Sequence, residues 1–343
     1  MTTPIGVTAP IVLAVDGGNS KTDLALVAAD GRVLSLVRGP LSSPHHLGVD
    51  GSVEVLERLF HEAVHEAGVA NANGTPVAAV ARLCMAGVDF PAEEEVLQKR
   101  IASLGWADAT SVANDTFAVL RAGTENGWGV AIVCGAGINC VGVAPDGRHV
   151  RFAALGELSG DWGGGHDVGM AAVSAAARSE DGRGPETSLE RAVPAHFGLN
   201  TPQELTEAIH TGKIGRRRVL ELPPIVFAEA QRDAVAAAIV ERVAAEIIDL
   251  ARAALTRLEL QNDRVEVALA GGLIRSMDGR VLDLILEELR TVAPKVELRP
   301  TASPPVIGAA LYGLDQIGAD AAAHDRVREQ LAASPTTRSA SDG

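Results

Sequence analysis

Short apolar runs alternate with glycine-rich turns and with amphipathic stretches along most of the chain. In the first third, the apolar runs predict five strands, at 11–16, 24–28, 32–37, 77–85 and 110–113. Apolar residues at helical spacing predict two helices, at 53–67 and 92–104. The first helix is expected to end at Gly68, because glycine favours the conformation in which helices commonly terminate.

The opening arrangement returns in the middle of the chain. Three strands are predicted at 129–134, 140–144 and 149–153, with a Gly-rich turn between the first two. In each set, an Asp-Gly-Arg turn precedes the third strand, at 30–32 and at 146–148. The tripeptide alone is weak support, since it recurs twice elsewhere. The order of elements around it nevertheless indicates an internal duplication of an α/β half.

The remaining pattern completes the second half. It predicts helices and strands in alternation, with helices at 168–178, 229–259, 278–291 and 305–317 and strands at 264–270 and 295–299. We therefore predict an N-terminal domain at 1–113, a C-terminal domain at 114–330 whose last helix packs back on the first, and a disordered tail at 331–343.

Composition restricts the possible partners. The chain has 343 residues, 47% of them apolar, and a net charge of −14, so it can bury a sizeable core in two domains. An acidic surface repels nucleic acid and anionic membranes, so we expect neither as a partner. The three cysteines lack metal-ligand spacing and the start lacks a leader pattern, so a cytoplasmic location is expected.

The first Gly-rich turn, in AVDGGNSKTD at 14–23, carries candidate nucleotide chemistry. It lacks the order of a Walker A loop or a Rossmann fingerprint, because a strand rather than a helix follows. Gly17 and Gly18 permit backbone conformations in which consecutive N–H groups converge on an anion. Asp16 is placed to hold Mg²⁺ through water. The alternative is a plain hairpin.

A second turn, at Gly135–Asn139, and a pair of glycines, Gly271 and Gly272, favour the nucleotide interpretation. Two Gly-rich hairpins in equivalent places of two similar halves are suited to clamp a polyphosphate from opposite sides of a cleft. The glycine pair follows a strand and precedes a helix, where a base and ribose can approach the backbone.

These segments, together with PPVIGAAL at 304–311, resemble the nucleotide motifs of the superfamily that includes actin, the heat-shock chaperone ATPase and sugar kinases. Within it, the chain most resembles the N-acetylglucosamine kinase branch, also called the BadF/BadG/BcrA/BcrD ATPase family, over roughly residues 11–318. The resemblance implies a two-domain actin-like ATPase fold, related to ribonuclease H, with duplicated halves and a cleft between them.

The resemblance also implies roles for individual residues. The nucleotide would be bound by Asp16, Gly17, Gly18, Asn19, Ser20, Lys21, Thr22, Gly135, Ala136, Gly137, Asn139, Gly271 and Gly272. The sugar would be bound by Ser43, Asn114, Asp115, Glu157, Ser159 and Asp161. At position 43 relatives usually carry an asparagine, so the serine puts N-acetylglucosamine itself in question.

Asp115 matches the family's catalytic aspartate. A carboxylate within hydrogen-bond reach can orient a sugar hydroxyl and take its proton as the γ-phosphoryl group transfers. The alternative is that Asp115 caps the helix that follows. For the stretch GELSGDWGGGHD at 156–167, the alternative to sugar binding is a surface loop that caps the next helix through Asp167.

The predicted function is an ATP- and Mg²⁺-dependent kinase acting on an amino sugar, N-acetylglucosamine or glucosamine, as a homodimer. Three alternatives stay open: a kinase for another hexose, an ATPase that activates a partner enzyme in the manner of the dehydratase activators, and a regulator without catalysis. The activators hold an Fe–S cluster on cysteines from two subunits, and no such pair is evident here.

Overall fold

The computed structural model describes residues 11–69 and 75–334. These residues form two five-stranded sheets with flanking helices. The strands are β1 (Ile11–Gly17), β2 (Lys21–Ala28), β3 (Val33–Pro40), β4 (Ala78–Met85), β5 (Ala107–Asn114), β6 (Gly129–Cys134), β7 (Ile138–Val143), β8 (His149–Arg151), β9 (Glu266–Ala270) and β10 (Glu297–Pro300). The helices are α1 (Pro44–Ala67), α2 (Pro91–Ala102), α3 (Asp115–Gly123), α4 (Gly165–Glu180), α5 (Leu189–His196), α6 (Pro202–His210), α7 (Pro223–Glu229), α8 (Ala234–Arg257), α9 (Gly272–Ser276), α10 (Gly279–Arg290), α11 (Pro305–Gln316) and α12 (Ala321–Ala333).

The first sheet has the order β3-β2-β1-β4-β5. Its central strand, β1, is buried along its whole length because helices cover both faces. Leu13 packs with Phe60 of α1 on one face, whereas Val12 packs with Leu311 of α11 on the other. A strand buried on both faces reads as a continuous apolar run, which explains why the sequence pattern identified it.

The second sheet repeats the first. Its order is β10-β9-β6-β7-β8, so β6 lies between an antiparallel neighbour, β7, and a parallel one, β9, as β1 lies between β2 and β4. The predicted duplication is therefore confirmed by topology. Each Gly-rich opening turn joins two antiparallel strands, which confirms that neither opens a helix as a Walker A or Rossmann motif would.

The chain divides into two compact units, residues 1–128 with 302–343 and residues 129–301. This places the boundary after Trp128 rather than after residue 113. The physical reason is that α3 follows directly from β5 and packs against α11 and β4 of the first sheet. The second unit ends at Thr301, because α11 and α12 belong to the first unit.

Helix α11 fits very closely into the first unit. A Cβ at Gly308 would overlap the carbonyl oxygen of Ala118 in α3, and one at Gly313 would overlap Val12 of β1. Arg121 of α3 also forms a two-point ion pair with Asp315, at 2.9 and 3.2 Å. Segments almost two hundred residues apart in sequence therefore form one packed layer.

Three predictions of local structure need correction. The helix predicted at 229–259 corresponds to α8 and starts later, at Ala234, because Asp233 accepts the Ala236 N–H and caps the helix there; residue 229 is the last residue of a separate helix, α7. The tail predicted at 331–343 begins too early, since α12 continues to Ala333, and residues from 335 lie outside the described part. Helices α5, α6 and α12 are additions that the pattern did not indicate.

Candidate active site

The first Gly-rich turn connects β1 to β2 in the first unit. Gly18 is half-buried, and Asn19 and Ser20 are exposed. Neither Gly17 nor Gly18 lies in the left-handed region of backbone conformation, so the expected reason for these glycines is wrong. They are required by space instead: a Cβ at Gly17 would overlap Met85, and one at Gly18 would lie 2.8 Å from the carbonyl oxygen of Lys21.

Two predicted phosphate-binding side chains of this turn are engaged within the fold. The Thr22 hydroxyl is fully buried, donates to the carbonyl of Pro40 at 2.8 Å and lies 2.7 Å from the Ser42 hydroxyl. The Lys21 ammonium lies 3.2 Å from a carboxylate oxygen of Asp23. The turn therefore presents its Asn19–Ser20 tip to solvent, whereas Thr22 fastens it to the segment that leads into α1.

Asp16 lies at the end of β1 among other charged groups. Burial raises its pKa to about 8, and the negative charges of Asp23 and Asp115 add to the shift, while Lys21 and Arg38 oppose it. Asp23 stands opposite Asp16 in the strand register. A bound divalent cation would stabilise the ionised form of Asp16, which burial and the neighbouring acids disfavour. This carboxyl therefore suits the metal-binding role expected of it.

Sequence reasoning missed the ion pair beside Asp16. The Arg38 guanidinium donates two hydrogen bonds to the fully buried Asp23 carboxylate, with N···O distances of 2.6 and 2.8 Å. The strand register of a tight hairpin could have predicted the position of Asp23, because pairing Gly17 with Thr22 places Asp23 next to Asp16. The pair keeps one of the two neighbouring acids neutralised by an internal cation.

We expect Asp16 to make the metal-free protein less stable as the pH rises. The pKa of the Asp16 carboxyl is 3.8 in the unfolded chain and about 8 in the folded protein. Between about pH 4 and pH 8, the folded state therefore binds a proton that the unfolded state has lost. Stability from this group is therefore complete below about pH 4 and is lost towards pH 8. Urea unfolding of the wild type and of Asp16→Asn at pH 5 and pH 8 measures the effect. An equal pH dependence in both proteins contradicts it.

Asn114, and not Asp115, caps helix α3. The Asn114 side chain is buried, its oxygen accepts the Thr116 N–H at 3.1 Å, and its amide donates to Val88 and Asp89. The alternative role considered for Asp115 is therefore wrong. Asp115 is the first residue of α3, is half-buried and is close enough to Asp16 to raise its pKa.

Ser43 is inaccessible to a ligand in this structure. It is fully buried immediately before α1, and a Cβ at Gly87 would overlap its hydroxyl oxygen. That oxygen has no hydrogen-bond partner within the described residues. The sugar contact expected of this position therefore requires local movement.

The second Gly-rich turn connects β6 to β7 in the second unit. The Gly135 N–H donates to the carbonyl of Gly137 at 2.9 Å, and both Ala136 and Gly137 are exposed. Neither glycine has a left-handed conformation, and none of the described residues has an atom within 4 Å of a Cβ built at either. The described part of the fold therefore leaves space for a side chain at both glycines.

The glycine pair of β9–α9 lies beside the same turn. Gly271 has a φ of 105°, and a Cβ there would overlap the carbonyl oxygen of Cys134, the last residue of β6. Gly272 starts α9 and is exposed. Asn139 uses its side-chain oxygen to accept the N–H of Cys140 at 2.8 Å. The second unit therefore brings the predicted phosphate turn and the predicted adenosine glycines together.

In the predicted sugar loop, Asp161 is hydrogen-bonded within the loop, whereas Glu157 is exposed. The Ser159 hydroxyl donates to Asp161, and Asp161 raises the pKa of Glu246 on α8, whose shift is caused mainly by burial. Glu157 is exposed in a single 3-10 turn. The ring of Trp162, in the same loop, has the Arg242 guanidinium 3.9 Å from its centre. The alternative role for Asp167 is confirmed, since it caps α4.

The described segments, 11–69 and 75–334, contain no group of three or more His, Cys, Asp or Glu residues arranged to hold a metal ion. A magnesium ion in a kinase is commonly held by one or two carboxylates, water and phosphate oxygens, which agrees with a single acid such as Asp16. Across those same segments, no helix is both long and apolar enough to cross a membrane.

Two units of the same topology, each with a Gly-rich turn between its first two strands, define a duplicated α/β protein of the actin-like ATPase fold. The chain belongs to the BadF/BadG/BcrA/BcrD ATPase family, whose model matches residues 13–313. The family resemblance and fold class predicted from the sequence are thereby confirmed.

Named relatives extend over nearly the whole chain. An N-acetylmuramic acid/N-acetylglucosamine kinase of Clostridium acetobutylicum is 28% identical over 303 residues, 88% of this chain and 97% of that protein. An N-acetyl-D-glucosamine kinase of Dictyostelium discoideum is 26% identical over 313 residues, 89% of this chain and 98% of that protein.

Solved structures show the same fold. A Chromobacterium violaceum protein named as a candidate N-acetylglucosamine kinase superposes with a TM-score of 0.67 at 23% identity, over 89% of this chain and 99% of its own. A transcriptional regulator of the ROK family, a homologue of the E. coli MLC protein, superposes with a TM-score of 0.55 at 17% identity, over 95% of this chain and 81% of its own. At these identities the likeness concerns the fold alone.

Proposed function

We propose that this protein is an ATP-dependent kinase that transfers the γ-phosphoryl group to a hydroxyl of an amino sugar, N-acetylglucosamine or glucosamine. Both curated relatives reported above are named as kinases of N-acetylated amino sugars. They cover almost the full chain, so the support concerns the whole protein and not one domain.

The observation that carries the proposal is the second turn. Gly137 is exposed and Gly135 is half-buried, and within the described residues a Cβ at either would meet no atom closer than 4 Å. Open backbone N–H groups without side chains are what a phosphate chain requires for close contact. We assign ATP phosphates to Ala136 and Gly137 and to the Gly18–Ser20 tip of the first turn.

We assign the adenosine to Gly271 and Gly272. Helix α9, which Gly272 starts, ends at Ser276, where a cavity of the second unit begins. Phe227 provides an apolar wall of that cavity, and Asp278 and Gln231 provide polar groups joined by a 2.8 Å hydrogen bond. An apolar wall with a few polar groups is typical of a site for a nucleotide base.

Asp115 is the proposed base. As the sugar hydroxyl attacks the γ-phosphorus, Asp115 takes its proton, the bond from the γ-phosphorus to the bridging oxygen breaks, and ADP leaves with that oxygen. Asp16 would hold Mg²⁺ through water. The metal, when bound, neutralises phosphate charge during transfer.

We propose that the sugar is held by Asp161, Ser159 and Glu157, with Asn114 setting the position of Asp115. The hydrogen bond between Ser159 and Asp161 supports a role as one unit, since it fixes the carboxylate that accepts a sugar hydroxyl. Asn114 acts indirectly, because its own polar groups are already used within the fold.

We further propose a homodimer in the cytoplasm. Leu158 is 90% exposed and Leu155 of the same loop is 39% exposed, which supports a contact surface. All three cysteines are free and buried, as is usual in a reducing compartment.

The activator-type ATPase is disfavoured by those cysteines. Burial raises the pKa of Cys84 to about 11 and that of Cys134 to about 12, and it raises the pKa of Cys140 as well. An Fe–S cluster needs accessible thiolates, and buried thiols of high pKa do not provide them. A purified protein that carries iron and sulfide would contradict this.

The decisive experiment is a substrate panel. With ATP and Mg²⁺, we expect N-acetylglucosamine or glucosamine to stimulate ADP release with equal formation of sugar phosphate, and glucose, mannose and N-acetylmuramic acid serve as comparisons. Stimulation only by a neutral hexose would change the substrate assignment. If no sugar stimulates ADP release, the kinase proposal fails, and ATP binding without turnover would favour a regulator.

A further inference from the structure

The first residues of α4 hold the second Gly-rich turn in place. The N–H of Gly165 donates to the carbonyl of Gly135 at 2.8 Å, and the N–H of His166 donates to that of Ala136 at 3.0 Å. Contact is so close that a Cβ at Gly164 would overlap the Cα of Gly137. Two successive carbonyls of the turn are therefore fixed by donors from one helix end.

Fixing these carbonyls also fixes the direction of the turn's N–H groups. In a planar trans peptide, the C=O and the N–H point in opposite directions. The carbonyls of Gly135 and Ala136 point towards α4, so the N–H groups of Ala136 and Gly137 point away from it. Neither donates a backbone hydrogen bond within the described ranges, and both residues are exposed.

Asp167 sets the shape of the helix end that does this. One of its carboxylate oxygens accepts the N–H groups of Gly163 and Gly164, at 3.1 and 3.0 Å. These bonds fold the residues before α4 back onto its first turn, so that the next two N–H groups, on Gly165 and His166, face the Gly-rich turn. Carboxylate bonds to backbone N–H groups are among the stronger hydrogen bonds of proteins.

We propose that Asp167 is a positioning residue for ATP: it orients α4, α4 orients the carbonyls of the turn, and the turn presents two N–H groups to the phosphates. This rests on the proposed function, because it assigns the turn to ATP. This role is more than that of a helix cap, because loss of a cap alone lowers the stability of the protein and does not weaken the binding of ATP more than that of the sugar.

The test compares Asp167→Ala, Asp167→Asn and a control, Thr201→Ala. Thr201 caps α6 in the same unit through its hydroxyl, 3.1 Å from the N–H of Glu204, and within the described residues it makes no hydrogen bond to the turn. We expect Asp167→Ala to raise the KM for ATP, and the Kd for ATP measured without sugar, about tenfold, since it loses two charge-assisted hydrogen bonds. In the same variant, the KM for the sugar should change by less than about twofold.

The asparagine variant keeps an oxygen acceptor, so we expect it to recover most of the ATP affinity. Amide hydrogen exchange gives an independent readout: in Asp167→Ala, exchange at Gly165 and His166 should accelerate, while it stays unchanged in Thr201→Ala. Equal effects on both substrates, or an ATP affinity no lower than that of the control, would overturn the positioning role. Failure of the wild type to bind ATP would instead remove the proposed function.

Discussion

Replacing Asp115 by asparagine is expected to abolish most phosphoryl transfer while the protein stays folded. General-base catalysis contributes roughly 100- to 10,000-fold, so we expect kcat to fall within that range. Asparagine matches the carboxylate in shape and cannot take the proton. The Kd for ATP should remain within a few-fold of the wild type, because the assigned phosphate contacts lie in the two Gly-rich turns. Initial rates and calorimetric ATP binding measure both quantities.

The neighbouring residue provides the control for that variant. Asn114→Ala removes the cap of α3 and leaves buried donors on Thr116 unsatisfied, so we expect it to lose on the order of 1–3 kcal/mol of unfolding free energy. Asp115→Asn should lose little, because Asp115 is not the cap. Full activity in Asp115→Asn would show that another group takes the proton. A matching loss of stability in both variants would show that Asp115 is structural.

Replacing Gly137 by alanine is expected to weaken ATP binding without weakening the fold. The new methyl group meets no atom of the described residues within 4 Å, and Gly137 is not in the left-handed conformation that alanine disfavours. Alanine lowers the conformational entropy of the unfolded chain. The free energy of unfolding should therefore stay equal or rise by about 0.4–1 kcal/mol. In the ATP complex, the methyl group occupies space beside the phosphates. Crowding of about 1–3 kcal/mol corresponds to a loss of affinity of roughly 5- to 150-fold.

A matched glycine elsewhere separates the two effects. Gly215 in the same unit also has no neighbour within 4 Å of a Cβ in the described part of the chain, and its φ is −60°. Gly215→Ala should therefore resemble Gly137→Ala in urea unfolding and the wild type in ATP titration. An unchanged ATP affinity in Gly137→Ala would mean that the phosphates do not reach this turn.

Sequence patterns within a single continuous segment predicted the fold well. The apolar run of β1 identified a strand buried on both faces, and two strand–turn–strand units in the same order identified the duplication. Part of the site followed directly: a strand that ends at Asp16 and a helix that starts at Asp115 put both acids at the ends of neighbouring elements. The charge of Asp115 helps to raise the pKa of Asp16, which agrees with that arrangement.

Features that depend on contacts between distant segments were missed. Thr22 has the right residue type for phosphate binding, but its partner, Pro40, comes from the next strand and turns the hydroxyl inward. Ser43 is buried by the approach of Gly87. The reason for Gly17 is the Met85 side chain, and no local pattern reports such a neighbour. The boundary after Trp128 similarly reflects packing of α3 on α11, far along the chain.

The close fit of α11 has a consequence for biosynthesis. The second unit is one continuous stretch, so all of its residues are synthesised before α11. The first sheet appears earlier, but the face that carries Val12 and Ala25 lacks its cover until Gly308 and Leu311 emerge. The domain translated first is therefore the one completed last. During that interval its exposed apolar face is a natural target for a chaperone that binds nascent chains.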